Sequence, residues 1–166
     1  MTPDLLPGYD PDLDLVLERE VNAPRDLLYT CWTTPEHLVH WFVPKPHSVT
    51  KCELDVRVGG ACNTTFNVDG VEMDNNGVYL EVVPNEKLVF TDAYSAGWKP
   101  APEPFMTAIL LFADAGQGRT KYTAIARHRS AETARQHAAM GFHDGWGTVV
   151  TQLEAYAQGL MARGAK

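Results

Sequence analysis

A chain of 166 residues with 45% hydrophobic side chains can close one core without help from disulfides or metal. Its formal net charge of −7 gives no basic footprint for nucleic acid or an anionic membrane surface, and no apolar run is long enough to insert into a bilayer. Acids and prolines stand where a secretory leader would carry bases and an apolar stretch, so a cytoplasmic location is expected.

Residues 1–12 hold three prolines and a glycine without periodicity and read as a flexible arm; one domain is expected over 13–163. From Leu13 the pattern alternates, with Leu13, Leu15 and Leu17 on one strand face and Asp14, Val16 and Glu18 on the other. Pro24 suits a helix start, and Leu27, Leu28, Cys31 and Trp32 form an apolar stripe at helical spacing. Thr34-Pro35 repeats the start signal for a second short helix that buries Leu38, Trp41 and Phe42, with Pro44 and Pro46 ending it.

Strands follow. Cys52, Leu54 and Val56 alternate with Glu53, Asp55 and Arg57; Gly59-Gly60 turns the chain; Cys62, Thr64, Phe66 and Val68 alternate back. Asp69-Gly70 is a hairpin signal. Further strands are predicted over 77–83, with Val78, Leu80 and Val82 on the face opposite Tyr79 and Glu81, and over 88–94, 105–113 and 120–128, with a long Pro/Gly-bearing loop over 95–104. Ser130 reads as an N-cap, Gly141 as a break, and Phe142, Trp146, Val149, Val150, Leu153, Tyr156 and Leu160 as the buried face of a long last helix. Strands and helices are segregated along the chain, which makes the class α+β.

Several stretches carry a resemblance: Val21-Asn22-Ala23-Pro24-Arg25, Trp32-Thr33-Thr34-Pro35-Glu36-His37-Leu38 with Trp41-Phe42, Gly59-Gly60, residues 77–84, and Met140-Gly141-Phe142 with Gly145-Trp146-Gly147. In order and spacing the chain resembles the START-like (helix-grip) superfamily, and within it the group named after the activator of the Hsp90 ATPase. The resemblance implies a curved antiparallel sheet wrapped around a long C-terminal helix, with two short helices after the first strand. It does not fix an activity, because relatives include ligand carriers, cyclases and co-chaperone domains. Two departures stand out. Trp41-Phe42-Val43-Pro44 replaces a Trp-Trp-Gly-Pro seen in many relatives, and Asn76 stands where relatives often carry histidine.

No metal constellation is legible among His37, His40, His47, His128, His137 and His143, and Cys31, Cys52 and Cys62 are odd in number and read as reduced thiols. No cofactor is implied. The implied architecture holds the last helix off the sheet, so a small-molecule cavity is expected between them. Its expected walls are Trp41, Phe66, Phe90, Tyr122, Met140 and Trp146, with Asn76 and His143 among its few polar groups. Gly141, Gly145 and Gly147 are read as leaving room, and Met106 as an adaptable wall.

For the polar candidates two readings stay open. His143 is either an acid/base at the cavity mouth or a polar residue on the outer helix side. Asp74 and Asn76, which share parity with Val78, either extend its strand and point into the cavity or end a hairpin in solvent. Arg19 is either a pocket cation or an edge ion pair. Three functions compete, in this order: a binding module for a small aromatic or polycyclic molecule; a cyclase- or hydrolase-like enzyme using His143, Asp74 or Tyr122; and a co-chaperone of a large ATPase. No catalytic residue is assigned, and a homodimer is left open.

Overall fold

The computed structural model describes residues 7–164. Strand β1 (Asp14–Val21) leads into helices α1 (Arg25–Thr33) and α2 (Pro35–Leu38). Seven further main strands and two very short ones follow: β2 (Ser48–Leu54), β3 (Cys62–Val68), β4 (Val71–Asn75), β5 (Val78–Val83), β6 (Lys87–Thr91), the two-residue β7 (Tyr94–Ser95) and β8 (Lys99–Pro100), β9 (Thr107–Gly116) and β10 (Arg119–Arg127). Helices α3 (Ala131–Ala139) and α4 (Phe142–Ala162) close the order.

All strand pairings are antiparallel. One sheet runs β1-β10-β9-β6-β5 and a second β2-β3-β4. They meet where Cys62 N–H donates to the Gly77 carbonyl at 2.9 Å and Tyr79 N–H to the Gly60 carbonyl at 3.1 Å. The surface is therefore continuous but not closed into a barrel. Backbone meets backbone so tightly at this seam that a Cβ on Gly77 would press into the Thr91 carbonyl.

Helix α4 lies over the β1 side of this surface and against α1 and α3. Its buried stripe is Phe142, Gly147, Val150, Leu153, Ala157 and Leu160, the helical spacing read from the sequence. Each large member of that stripe contributes about 2 kcal/mol by leaving water. Ser130 caps α3 by accepting the Thr133 N–H at 3.1 Å. Gly141, at φ 96°, adopts the left-handed conformation that separates α3 from α4.

The outer face of the large sheet has its own small cluster, Val89, Ile109 and Ile125, with Val16, Leu111 and Tyr9 packed on it. Tyr9 belongs to the segment read as a flexible arm; the Asp14 carboxylate accepts the Asp10 N–H at 3.0 Å, and residues 1–6 of that arm lie outside the described residues. Among the described residues no helix is long and apolar enough to cross a membrane, and Cys31, Cys52 and Cys62 are free thiols.

Two local readings are corrected, and the Asp69-Gly70 hairpin holds. A bulge between Tyr79 and Glu81 switches faces within β5, so Tyr79 is buried beside Val78 while Leu80 is turned outward. The segment after Asp69-Gly70 forms its own strand, β4, with both turn residues at positive φ as a two-residue hairpin requires. Trp41 and Phe42 lie beyond α2, which lasts only one turn.

Candidate functional site

A cavity of about 140 Å3 lies between the α1–α2 segment, the β2–β3 hairpin and the far end of the large sheet. Trp32, Leu38 and Phe42 form one wall; Leu54, Cys62, Thr64 and Phe66 form the second; Tyr79 and Phe90 form the third. The rings brace one another edge to face. Trp32 and Phe42 centroids are 5.2 Å apart and Phe42 and Phe66 5.8 Å, while Trp32 lies 6.0 Å from Phe90 in a tilted arrangement.

Phe42 is placed by Gln152 of α4. The Gln152 amide donates to the Trp41 and Val43 carbonyls at 3.0 and 2.8 Å, and its oxygen accepts the Lys45 N–H at 2.9 Å. One polar side chain thus satisfies three backbone groups of a segment that has no helix or strand to satisfy them.

The rim is polar at one end. Thr64 pairs with Asn75, and Val78 with Thr91, so Asn75, Asn76, Gly77, Thr91 and Asp92 come together where β4, β5 and β6 meet. The Asp92 carboxylate accepts the Phe105 N–H at 2.9 Å and the Met106 N–H at 3.1 Å, which fixes two more lining residues. Neither titratable side chain of the inner wall is ionised at neutral pH. Burial pushes the Cys62 thiol up to about 12, and burial with the neighbouring Cys62 pushes the Tyr79 hydroxyl upward too.

Of the eight residues expected at a cavity, Phe66, Asn76 and Phe90 line this one. The other five stand elsewhere. Trp41 is buried behind Trp32, with centroids 4.8 Å apart, and Tyr122 is fully buried beside Phe112 in the core cluster that Val150 and Leu153 of α4 share. Trp146 is half-buried and leans on Phe142 at 5.3 Å. Met140 ends α3 just before the Gly141 break and is 74% exposed. His143 lies outside, its Nε2 3.2 Å from the Val16 carbonyl, where it ties α4 to β1.

The helix glycines do not make the room either. A Cβ on Gly145 would meet open space, and Gly147 makes room for the Arg19 guanidinium, whose Nη1 donates to Thr151 Oγ1 at 3.4 Å. Asp74 faces solvent and accepts the Thr65 hydroxyl at 2.8 Å. Its parity with Val78 does not carry across Gly77, because β4 and β5 belong to different sheets. Met106 lines the cavity.

Sequence reasoning passed over Asp92, Phe105, Thr91 and Asn75 as wall residues. The available signal was an acid placed where a predicted strand meets a Pro/Gly-rich loop, a position that suits a carboxylate collecting loose backbone N–H groups. A second depression, an open groove between the 39–48 segment and α4, is lined by His40, Lys45, His47, Tyr156 and Arg163. His40 stacks on Tyr156, and His37 Nδ1 lies 2.7 Å from the Tyr156 hydroxyl. Among the described residues no three His, Cys, Asp or Glu side chains gather as a metal site would.

Comparison with known proteins places this architecture. The family model described as Activator of Hsp90 ATPase homolog 1-like protein matches residues 22–158. A crystal structure of a protein from Nitrosomonas europaea is 39% identical, with a TM-score of 0.89 over 93% of this chain and 99% of that one. A crystal structure of a Mycobacterium smegmatis protein is 24% identical, with a TM-score of 0.74 over 89% and 93% of the two chains. A solution structure of an AHSA1-like protein from Aeromonas hydrophila is 16% identical, with a TM-score of 0.66 over 93% and 96%. The last two share the fold alone. No curated protein matches the chain. With an open antiparallel sheet, a long C-terminal helix and a family model that spans most of its length, the chain belongs to the Activator of Hsp90 ATPase homolog 1-like protein family, and its architecture is the helix-grip, START-like one.

Proposed function

We propose that the protein is a binding module for a small, largely apolar molecule held in the cavity beneath the α1–α2 segment. The observation that carries this reading is the wall itself: Trp32, Phe42, Phe66, Tyr79, Phe90 and Phe105 surround about 140 Å3 of space that close packing would otherwise fill. Apolar cavities of roughly 150 Å3 hold a benzene-sized guest. The guest is therefore one ring, with any further ring reaching out through the mouth, and a polycycle does not fit inside. Burying about 150 Å2 of such a guest yields on the order of 4 kcal/mol, which corresponds to binding no tighter than about millimolar once association costs are counted.

The enzyme alternative drew on His143, Asp74 or Tyr122 within the cavity, and none of these lines it. Cys62 and Tyr79 do line it, but both hold their protons at neutral pH, so neither supplies a base there.

The experiment is a calorimetric titration of toluene and indole into three proteins. The parent is expected to bind one equivalent. Thr64→Phe, which puts a ring into the cavity from the buried face of β3, is expected to weaken binding at least tenfold while near-UV circular dichroism stays native-like. Gly145→Leu, on the open side of α4, is expected to bind as the parent does. Equal affinity in parent and folded Thr64→Phe would remove the cavity from the account.

A further inference from the structure

The charged groups are unevenly placed around this cavity. No lysine, arginine or histidine is among its lining residues, and the one acid there is Asp92. A separate groove beside α4 holds Lys45 and Arg163. Asp92 stands at the polar end, next to Thr91 and opposite the Asn76-Gly77 corner.

Its hydrogen bonds leave capacity in one direction only. Oδ1 accepts both the Phe105 and Met106 N–H groups, whereas Oδ2 takes no more than a share of the Phe105 N–H at 2.9 Å. An ionised carboxylate accepts about four hydrogen bonds and donates none. Oδ2 can therefore receive a donor from a guest but can give nothing to an acceptor. Thr91 Oγ1 is already engaged with Thr107 Oγ1 at 2.9 Å. A carboxylate guest would lose its hydration beside a like charge, with no cation to replace the water. An ammonium guest would meet a carboxylate at the edge of an aromatic-lined cavity.

Resting on the reading of the cavity as a binding site, we propose that its guest is an uncharged or cationic single-ring molecule bearing a hydrogen-bond donor, an arylalkylamine in chemical class, and that Asp92 makes the cavity reject aromatic carboxylates. The ring occupies the aromatic walls, and the donor sits at the Asp92 end. The preference is one of electrostatics at the rim, so it is separable from the apolar term that holds the ring.

The test titrates toluene, benzyl alcohol, benzylamine and benzoate into the parent, Asp92→Asn and Asn76→Lys at neutral pH and low salt. In the parent, benzylamine is expected to bind at least tenfold more tightly than benzoate, with benzyl alcohol between them. Asp92→Asn keeps an oxygen for the Phe105 N–H and removes the charge, so benzylamine should fall to the level of benzyl alcohol. Asn76→Lys puts a cation on an exposed rim position and is expected to raise benzoate affinity about fivefold and lower that of benzylamine; it carries the test if Asp92→Asn does not fold. Benzoate binding the parent as tightly as benzylamine does would overturn the charge preference while leaving the binding site intact. Failure of all four probes, toluene included, would overturn the reading of the cavity itself.

Discussion

Acidification from pH 6.5 to below pH 4 is expected to remove about 3 kcal/mol of stability through one side chain, His137. This residue of α3 and His128 at the end of β10 are both buried, and His128 Nε2 lies 2.9 Å from His137 Nδ1. His128 Nδ1 is 2.8 Å from the Leu13 carbonyl, which can only accept, so that nitrogen carries the proton and Nε2 of a neutral His128 is the acceptor. His137 therefore donates from Nδ1, and a second proton would have to enter on Nε2, among the Phe105 and Phe142 rings. Burial first, and His128 second, lower the His137 pKa from 6.5 to about 4.

The sign follows from proton counting. Between pH 6.5 and 4 the unfolded chain binds the proton and the folded chain does not, so stability falls as pH falls through that window. The contribution is fully present above 6.5 and gone below 4; at about 1.4 kcal/mol per pH unit it amounts to about 3 kcal/mol. Urea midpoints of the parent and of His137→Phe across pH 7.5 to 3.5 would measure it. The variant is expected to be the less stable at pH 7.5, because His128 Nε2 loses its donor, and the gap should close or reverse as pH falls. A gap that stays constant over the window would contradict the assignment.

Gly77→Ala is expected to cost about 3 kcal/mol or more. The new Cβ would press into the Thr91 carbonyl, which is backbone and cannot turn aside as a side chain would. Gly77 also carries the seam between the two sheets, since its carbonyl accepts the Cys62 N–H and its own N–H donates to the Asn63 side chain at 3.1 Å. Gly145→Ala is the comparison. There a Cβ meets open space inside a helix, and alanine is expected to gain up to about 1 kcal/mol. A Gly77→Ala midpoint within about 1 kcal/mol of the parent would show that the seam can yield.

The elements were legible in the sequence because each carries its own period. The alternation at Leu13, the stripe from Leu27 to Trp32, the Ser130 cap and the Gly141 break all predict what the backbone does. The site was legible only in part, for two physical reasons. Periodicity tells which face of an element is buried but not whether the burial is against protein or against space; Tyr122 and Trp41 have the pattern of wall residues and are packed core. Parity also fails wherever the ladder is interrupted. Gly77 separates two sheets, and the bulge after Tyr79 reverses the faces of β5, so Tyr79, expected on the opposite side from Val78, is buried with it and lines the cavity. Asn76 was reached by a parity argument that the structure does not support, and its place at the rim comes from the junction of β4 with β5. Asp92 was missed because its role is to hold the loop backbone at Phe105 and Met106, a long-range pairing that no local pattern reports.

The most direct test of the binding account follows the methionine methyl groups. Met106 lines the cavity, while Met73, Met140 and Met161 are exposed elsewhere. In protein labelled with 13C at the methionine methyls, saturating toluene is expected to move the Met106 signal upfield by ring-current shielding and to give an intermolecular nuclear Overhauser effect to that methyl. The signals of Met73, Met140 and Met161 should stay where they are. A shift confined to Met140, with Met106 unmoved, would contradict the account and put the guest at the α3–α4 break.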